Sequence, residues 1–380
     1  MSFCYLDNNA TTQVAPEVIE AMLPLFAQHW GNPSGVYRFG HEVVARLEAA
    51  REQVAALIHA DPREVVFTSC GTESNNTAIQ SALHVTGKHH VVTTAVEHPA
   101  NLRFSALLRQ RGCEVTMLPV DSQGTLDLAA LEAAIRPDTA LVSVMWANNE
   151  TGVLFPVAEV ASLCRRHGVL CHTDAVQMAG KMLIDVAATG VDALSLSAHK
   201  LHAPKGIGAL YVRRGTRFQP YLVGGHQENG RRAGTENTPY IVGFGRAAEL
   251  ALARLADYGT RVRALRDRLE QALLALVPDV ALNGAPEPRL PNTSNLAFAG
   301  IEAEALLMLL DQQEICASSG SACASGSPEP SHVLTAMGCS PARARGSVRF
   351  SLGYYSTDAE VDRLIGCLPA LVAKLRRAAV

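Results

Sequence analysis

The sequence predicts an α/β protein: a large domain on a mainly parallel, seven-stranded sheet, joined to a smaller α+β domain. Three observations carry that expectation. Short apolar runs recur at 65–67, 91–92, 115–118, 141–145, 169–171, 194–196 and 210–212. Helical segments, among them 129–135 and 157–167, lie between most of them, and such alternation marks crossover units joining parallel strands. Turn-forming residues follow most of the runs (Gly71, Pro99, Asp121, Asn148-Asn149 and Asp174). Polar groups therefore gather at the carboxyl ends of the strands, where open sheets bind ligands.

Taken in order, Asp7-Asn8-Asn9-Ala10-Thr11-Thr12 is polar and turn-prone and leads into a helix over 16–26. Gly31-Asn32-Pro33-Ser34 is a loop. Over 40–59, Val44, Leu47, Val54 and Leu57 recur at helical spacing with charges between them, and Asp61-Pro62 ends that element. The strand–helix rhythm then runs to about 257. From Tyr258 the texture changes. Residues 262–277 form a charged amphipathic helix with Leu265, Leu269, Leu273 and Leu276 on one stripe. Segments 295–298 and 348–352 read as strands of a smaller mixed sheet, and 359–376 as a closing helix. The expected division is a large domain over 13–257 and a small domain made of 1–12 with 258–380.

A chain of 380 residues, 48% apolar and 18% charged, suits a globular protein of this organisation. Its net charge of −3 gives no strong field for nucleic acid or an anionic membrane. No stretch is apolar enough, for long enough, to span a bilayer, and Met1 to Asp7 lacks the basic and apolar regions of a signal peptide. The expected location is the cytoplasm. Nine cysteines, an odd number with no CxxC pair, argue against a disulfide framework and a zinc ribbon, and no metal site is expected. Most should be small buried hydrophobes in a reducing compartment.

Chemistry concentrates in a few places. Ser197-Ala198-His199-Lys200-Leu201-His202 follows an apolar run. A lysine leaving a buried strand sits where desolvation lowers an amine pKa and favours imine formation, although a lone lysine there serves equally well as a solvated ammonium. Thr68-Ser69-Cys70-Gly71-Thr72-Glu73-Ser74 passes from strand to helix. Gly71 admits close approach, and free N–H groups with the hydroxyls of Thr72 and Ser74 make an anion cradle or an ordinary helix cap. The glycine–lysine spacing of a nucleotide P-loop is absent. Asp174, at the end of the preceding strand, can pair with a ring nitrogen, and Gln177 can reach a phenolate oxygen. Amine, carboxylate and phosphate cradle together are the parts that pyridoxal phosphate requires. His98, after the strand at 91–94, is placed to stack on a ring or move protons. Asn149 is a polar group at another strand end, and Arg349 offers a fork for a carboxylate. Residues 318–327 hold no large side chain, so Cys323 is expected on a mobile surface loop, where a thiol is exposed to react.

These residues resemble the cysteine desulfurases of the class V aminotransferase group, most closely the NifS type. The likeness spans essentially the whole chain: Leu6 to Thr12, Gly71-Thr72-Glu73-Ser74-Asn75, Glu97-His98-Pro99, Asn148-Asn149-Glu150-Thr151-Gly152, His172-Thr173-Asp174-Ala175-Val176-Gln177, His199-Lys200, Arg232-Ala233-Gly234-Thr235-Glu236-Asn237, and the 318–327 loop with Glu329-Pro330-Ser331-His332-Val333 after it. The resemblance implies a fold type I, pyridoxal-phosphate-dependent homodimer that converts L-cysteine to L-alanine and hands sulfur to an iron–sulfur scaffold protein, in a nitrogenase-related role. It implies Lys200 as the Schiff-base lysine and Cys323, on a loop over about 317–331, as the persulfide carrier. Gly71, Thr72, Ser197 and His199 would hold the phosphate with Thr235 of a second subunit, Asp174 and Gln177 would hold the ring, His98 would stack on it, and Asn149 and Arg349 would take the substrate carboxylate. Two departures are Ala198, where glycine is the commoner residue, and Cys316, where a small inert one is. Selenocysteine lyases and small-amino-acid aminotransferases use the same parts; a non-catalytic thiol or scaffold protein would lack the cofactor's colour.

Overall fold

The computed structural model describes residues 3–319 and 330–378. The chain opens with β1 (Cys4–Tyr5), then α1 (Pro16–Ala27) and α2 (Arg38–Leu57). Pro16 starts α1, where its fixed φ suits the first turn and its missing N–H costs nothing. The buried face of α2 is Val43, Leu47, Ala50 and Val54; Val44, predicted on that stripe, is one step off it and 37% exposed.

The crossover region follows: β2 (Val65–Thr68), α3 (Gly71–Thr86), β3 (His90–Thr94), α4 (Pro99–Gln110), β4 (Glu114–Leu118), α5 (Leu128–Ala134), β5 (Thr139–Ser143), α6 (Val157–His167), β6 (Leu170–Asp174), α7 (Val186–Thr189), β7 (Ala193–Ser197) and β8 (Gly208–Val212). They build one seven-stranded sheet in the order β2-β8-β7-β6-β5-β3-β4. Most of its strands are buried along their whole length, so they read as continuous apolar runs rather than alternating ones. Only β8 opposes its neighbours, β7 and β2. The connection 198–207 is too short for a parallel crossover, which takes a dozen or more residues and usually a helix. The chain therefore doubles back, and the carboxyl ends of the other strands stay along one edge.

Beyond β8 come α8 (Thr238–Ala253), α9 (Leu255–Asp257), a π-helical turn (Tyr258–Val262), α10 (Arg263–Leu276), β9 (Val280–Leu282), β10 (Thr293–Phe298), α11 (Ala303–Asp311), β11 (Ile315–Cys316), α12 (His332–Ala336), α13 (Pro341–Arg345), β12 (Ser347–Ser351) and α14 (Asp358–Ala378). Strands β12, β10 and β9 form an antiparallel sheet. β1 pairs in parallel with β11, Cys4 opposite Ile315 and Tyr5 opposite Cys316. A separate hydrophobic core joins Cys4 and Leu6 to Leu265, Leu269, Phe298 and Phe350. Leu276, on the predicted α10 stripe, is 55% exposed at the helix end.

Candidate active site

The turn after β7 (Ala198–Lys200) places Lys200 in the reversal between β7 and β8. Its Nζ donates to the main-chain carbonyls of Asn9 at 2.5 Å and Ala10 at 2.6 Å. Thr12 fastens that N-terminal turn to the lysine: its N–H and hydroxyl both donate to His199 O, at 3.0 and 2.9 Å. On the adjacent strand, β6 ends at Asp174, 6% exposed. Asn75 Nδ2 donates to one carboxylate oxygen at 2.6 Å and Val176 N–H to the other at 3.0 Å. Both donors are neutral, and among the described residues no lysine or arginine forms an ion pair with Asp174. A buried carboxylate of this kind is matched by a cationic ring N–H.

α3 begins directly after β2. Its first intrahelical bond runs from Ser74 N to Cys70 O at 3.1 Å, so the N–H groups of residues 71–73 precede the ladder and suit an anion. A Cβ at Gly71 would stand 2.9 Å from Val176 Cγ2 and 3.4 Å from Ser197 Cβ, so the turns after β2, β6 and β7 converge on a gap that glycine keeps open. Thr72 is exposed and Ser197 buried beside this gap. The Ser74 hydroxyl, expected in the cradle, faces inward instead, 2.7 Å from Thr68 Oγ1 and donating to Ala209 O at 3.1 Å. His199 Nδ1 lies 3.1 Å from Thr11 Oγ1. Burial, then the charges of Lys200 and Lys205, hold His199 neutral, its pKa lowered to about 3.

His98 caps α4: its Nδ1 accepts the Ala100 N–H at 3.1 Å, so the neutral ring carries its proton on Nε2. Burial pushes its pKa below the ordinary value, while Asp174 raises it and Lys200 and His332 lower it. Glu97, beneath it, accepts from Thr94, Asn101 and the Met145 N–H, and burial pushes its carboxyl up to about 7. Arg349, 1% exposed on β12, donates to Asn149 O at 2.9 Å and to Asp7 Oδ1 at 2.6 Å. Gln177 Nε2 donates to Asn9 O at 2.9 Å. Thr235 stands exposed on a segment tied down by Arg232–Glu73 and the buried Arg51–Glu228 pair.

Cys323 lies outside the described residues. Its flanks abut the site: Ser318 pairs with Arg349 through the backbone, the Ser331 hydroxyl donates to Glu150 Oε2 at 2.5 Å, and His332 Nε2 donates to Glu97 O at 3.0 Å. Asn9 and Asn75 were not predicted as site residues. The Asn9 carbonyl accepts from both Lys200 and Gln177, and its amide reaches Asn149 O and Thr293 Oγ1. The polar, turn-prone character of 7–12 was the signal pointing to it.

Amine, buried carboxylate and anion-binding turn thus share one edge of the sheet, an arrangement suited to an aldehyde that bears a phosphate and a basic ring nitrogen. The sequence matches the model for aminotransferase class-V over residues 4–364. The chain belongs to that family. It is 54% identical over 377 residues to a cysteine desulfurase of a Nostoc species, covering 99% of this chain and 94% of that protein. It is 53% identical over 378 residues to the cysteine desulfurase NifS of Azotobacter vinelandii, again covering 99% and 94%. A solved NifS-like protein matches with a TM-score of 0.92 at 37% identity, over 98% of this chain and 100% of that one. Within the class-V aminotransferases this chain therefore stands among the cysteine desulfurases, whose cofactor is pyridoxal phosphate. Asp174 without an ion-pair partner among the described residues, and a gap that a single Cβ at Gly71 would close, fit that cofactor. No helix among the described residues is long and apolar enough to cross a membrane.

Proposed function

We propose that the chain takes sulfur from L-cysteine, leaving L-alanine, and passes it from a persulfide on Cys323 to a scaffold protein that assembles iron–sulfur clusters, in the cytoplasm and in support of nitrogenase. The observation that carries this reading is the placement of Lys200 and Asp174 at adjacent strand ends beside the Gly71 turn. The relatives named cysteine desulfurase, NifS among them, support the substrate and the destination.

Pyridoxal phosphate, when bound, supplies an aldehyde for a primary amine and a protonated ring that draws electrons from the substrate Cα. Lys200 is the amine that tethers it and the base that moves the Cα proton. Asp174 holds the ring N–H, Gln177 donates to the ring oxygen, and Gly71, Thr72, Ser197 and neutral His199 hold the phosphate. His98, its Nδ1 already engaged, offers Nε2–H for proton transfer. Arg349 and Asn149 take the substrate carboxylate. The Cys323 thiolate attacks the substrate sulfur: an S–S bond forms, the Cβ–S bond breaks, and its electron pair returns to carbon, which is protonated to the methyl of alanine.

A homodimer completes the site with Thr235 of the second subunit. Its support is the exposed apolar surface of Leu23, Phe26, Trp30, Val36 and Val223, which a second copy would cover. The test is alanine and sulfide release from L-cysteine, with the visible spectrum recorded in the same sample. Lys200→Ala should lose the visible band; Cys323→Ala should keep it and lose sulfide. Full desulfuration by Cys323→Ala with a thiol acceptor present would refute the persulfide role.

A further inference from the structure

Lys181 is 2% exposed, an unusual place for a lysine. Its Nζ donates to the main-chain carbonyl of Gln177 at 3.0 Å and to Gln177 Oε1 at 2.8 Å, and among the described residues no carboxylate forms an ion pair with it. Gly180, at φ +69°, turns the chain so that Lys181 comes back beneath Gln177; a Cβ there would collide with Leu201 Cδ2 and stand 3.0 Å from Ala251 Cβ. Burial, and then the charges of Lys200 and Arg349, push the Lys181 amine well below the ordinary lysine range. His199 and His202, on the facing turn, are themselves driven toward the neutral form by burial. Both bonds to Gln177 have the amine as donor, so Oε1 is the end of the amide held beneath it.

A carboxamide has two ends of similar size and opposite hydrogen-bonding sense. With Lys181 on the oxygen, the NH2 group is the end that faces the site. One of its N–H groups meets Asn9 O at 2.9 Å, the same carbonyl that accepts from Lys200 Nζ. We propose that Lys181 is a positioning residue: it locks the Gln177 amide so that a second N–H is presented to the ring oxygen of the cofactor. The assignment rests on the reading of Gln177 given above. A flipped amide would turn a lone pair toward an oxyanion; Asn9 O holds one end of the amide against that flip, and the buried amine beneath Oε1 secures the other.

The test is a pH titration of the visible band of the cofactor-loaded enzyme. Loss of a charge-assisted donor to an oxyanion raises the midpoint by about one pH unit, a tenfold change in the protonation equilibrium. Gln177→Ala should show that shift. Lys181→Met should show it too, and should add nothing in the Gln177→Ala background. Lys181→Gln, which keeps a donor beneath Oε1, should restore most of the original midpoint. Lys181→Ala, which admits water in place of the amine, replaces Lys181→Met if the latter does not fold. An unmoved midpoint in Gln177→Ala would overturn the role of Gln177 and the inference with it. A shift in Gln177→Ala but none in the Lys181 variants would overturn the inference alone. So would a Lys181→Met shift that persists in the Gln177→Ala background, since it would then arise from the field of the amine and not through Gln177.

Discussion

Gly71→Ala tests how the phosphate turn is built. The new methyl would lie 2.9 Å from Val176 Cγ2 and 3.4 Å from Ser197 Cβ. Carbon atoms rest at about 3.5–4.0 Å, so the first turn of α3 must retreat by about 0.5–1 Å. Its N–H groups then lose the equivalent of one hydrogen bond to a charged acceptor, about 2 kcal/mol, or about 30-fold in cofactor Kd. Global stability should hardly move, because overpacking of about 1 kcal/mol is offset by the lower backbone entropy of the unfolded alanine chain. The assay is a spectral titration of cofactor-free protein with pyridoxal phosphate, beside urea unfolding of the same sample. Val176→Ala removes the colliding methyl, so the double variant Gly71→Ala/Val176→Ala should recover most of the affinity. A Kd within about threefold of wild type would refute the packing reasoning, as would a loss that Val176→Ala does not recover.

Arg349→Lys keeps the charge but cannot reach Asn149 O and Asp7 together, so steady-state alanine release should show KM for L-cysteine raised by about 10- to 100-fold and kcat changed far less. His172 is buried between Ser143 and Ser195, and burial takes its pKa from 6.5 to about 3. The unfolded chain therefore binds the extra proton first, and the stability this neutral histidine leaves intact above pH 6.5 is lost as pH falls toward 3, by about 4 kcal/mol in all. His172→Gln should flatten that acid-side decline in urea midpoints, and an unchanged slope would count against it.

The large sheet was legible because its strands are buried on both faces, which forces continuous apolar runs onto the sequence. Strands β9 and β11 escaped notice, since two or three residues carry no period. Val44 was taken for its neighbour Val43 because a helical stripe read from four residues tolerates a one-step slip. Lys200, Asp174, Gln177 and His98 were legible as polar residues at strand ends. Asn9 was not, because its part is played by a main-chain carbonyl, which every residue owns. Ser74 misled for a related reason: a hydroxyl near a helix start serves a ligand or its own protein equally well, and here it serves β8. Lys181 stayed hidden because nothing in a sequence separates a buried lysine from the common exposed kind.

The placement of residues 4–9 governs when this enzyme can come alive. They leave the ribosome well before their partners, for Cys4 docks beside Ile315 and the N–H groups of Asn8 and Asn9 wait for Ser351. The carbonyl that steadies Lys200 is thus seated only after residue 351 has been made, and a shorter polypeptide has no finished pocket in which to trap the vitamin.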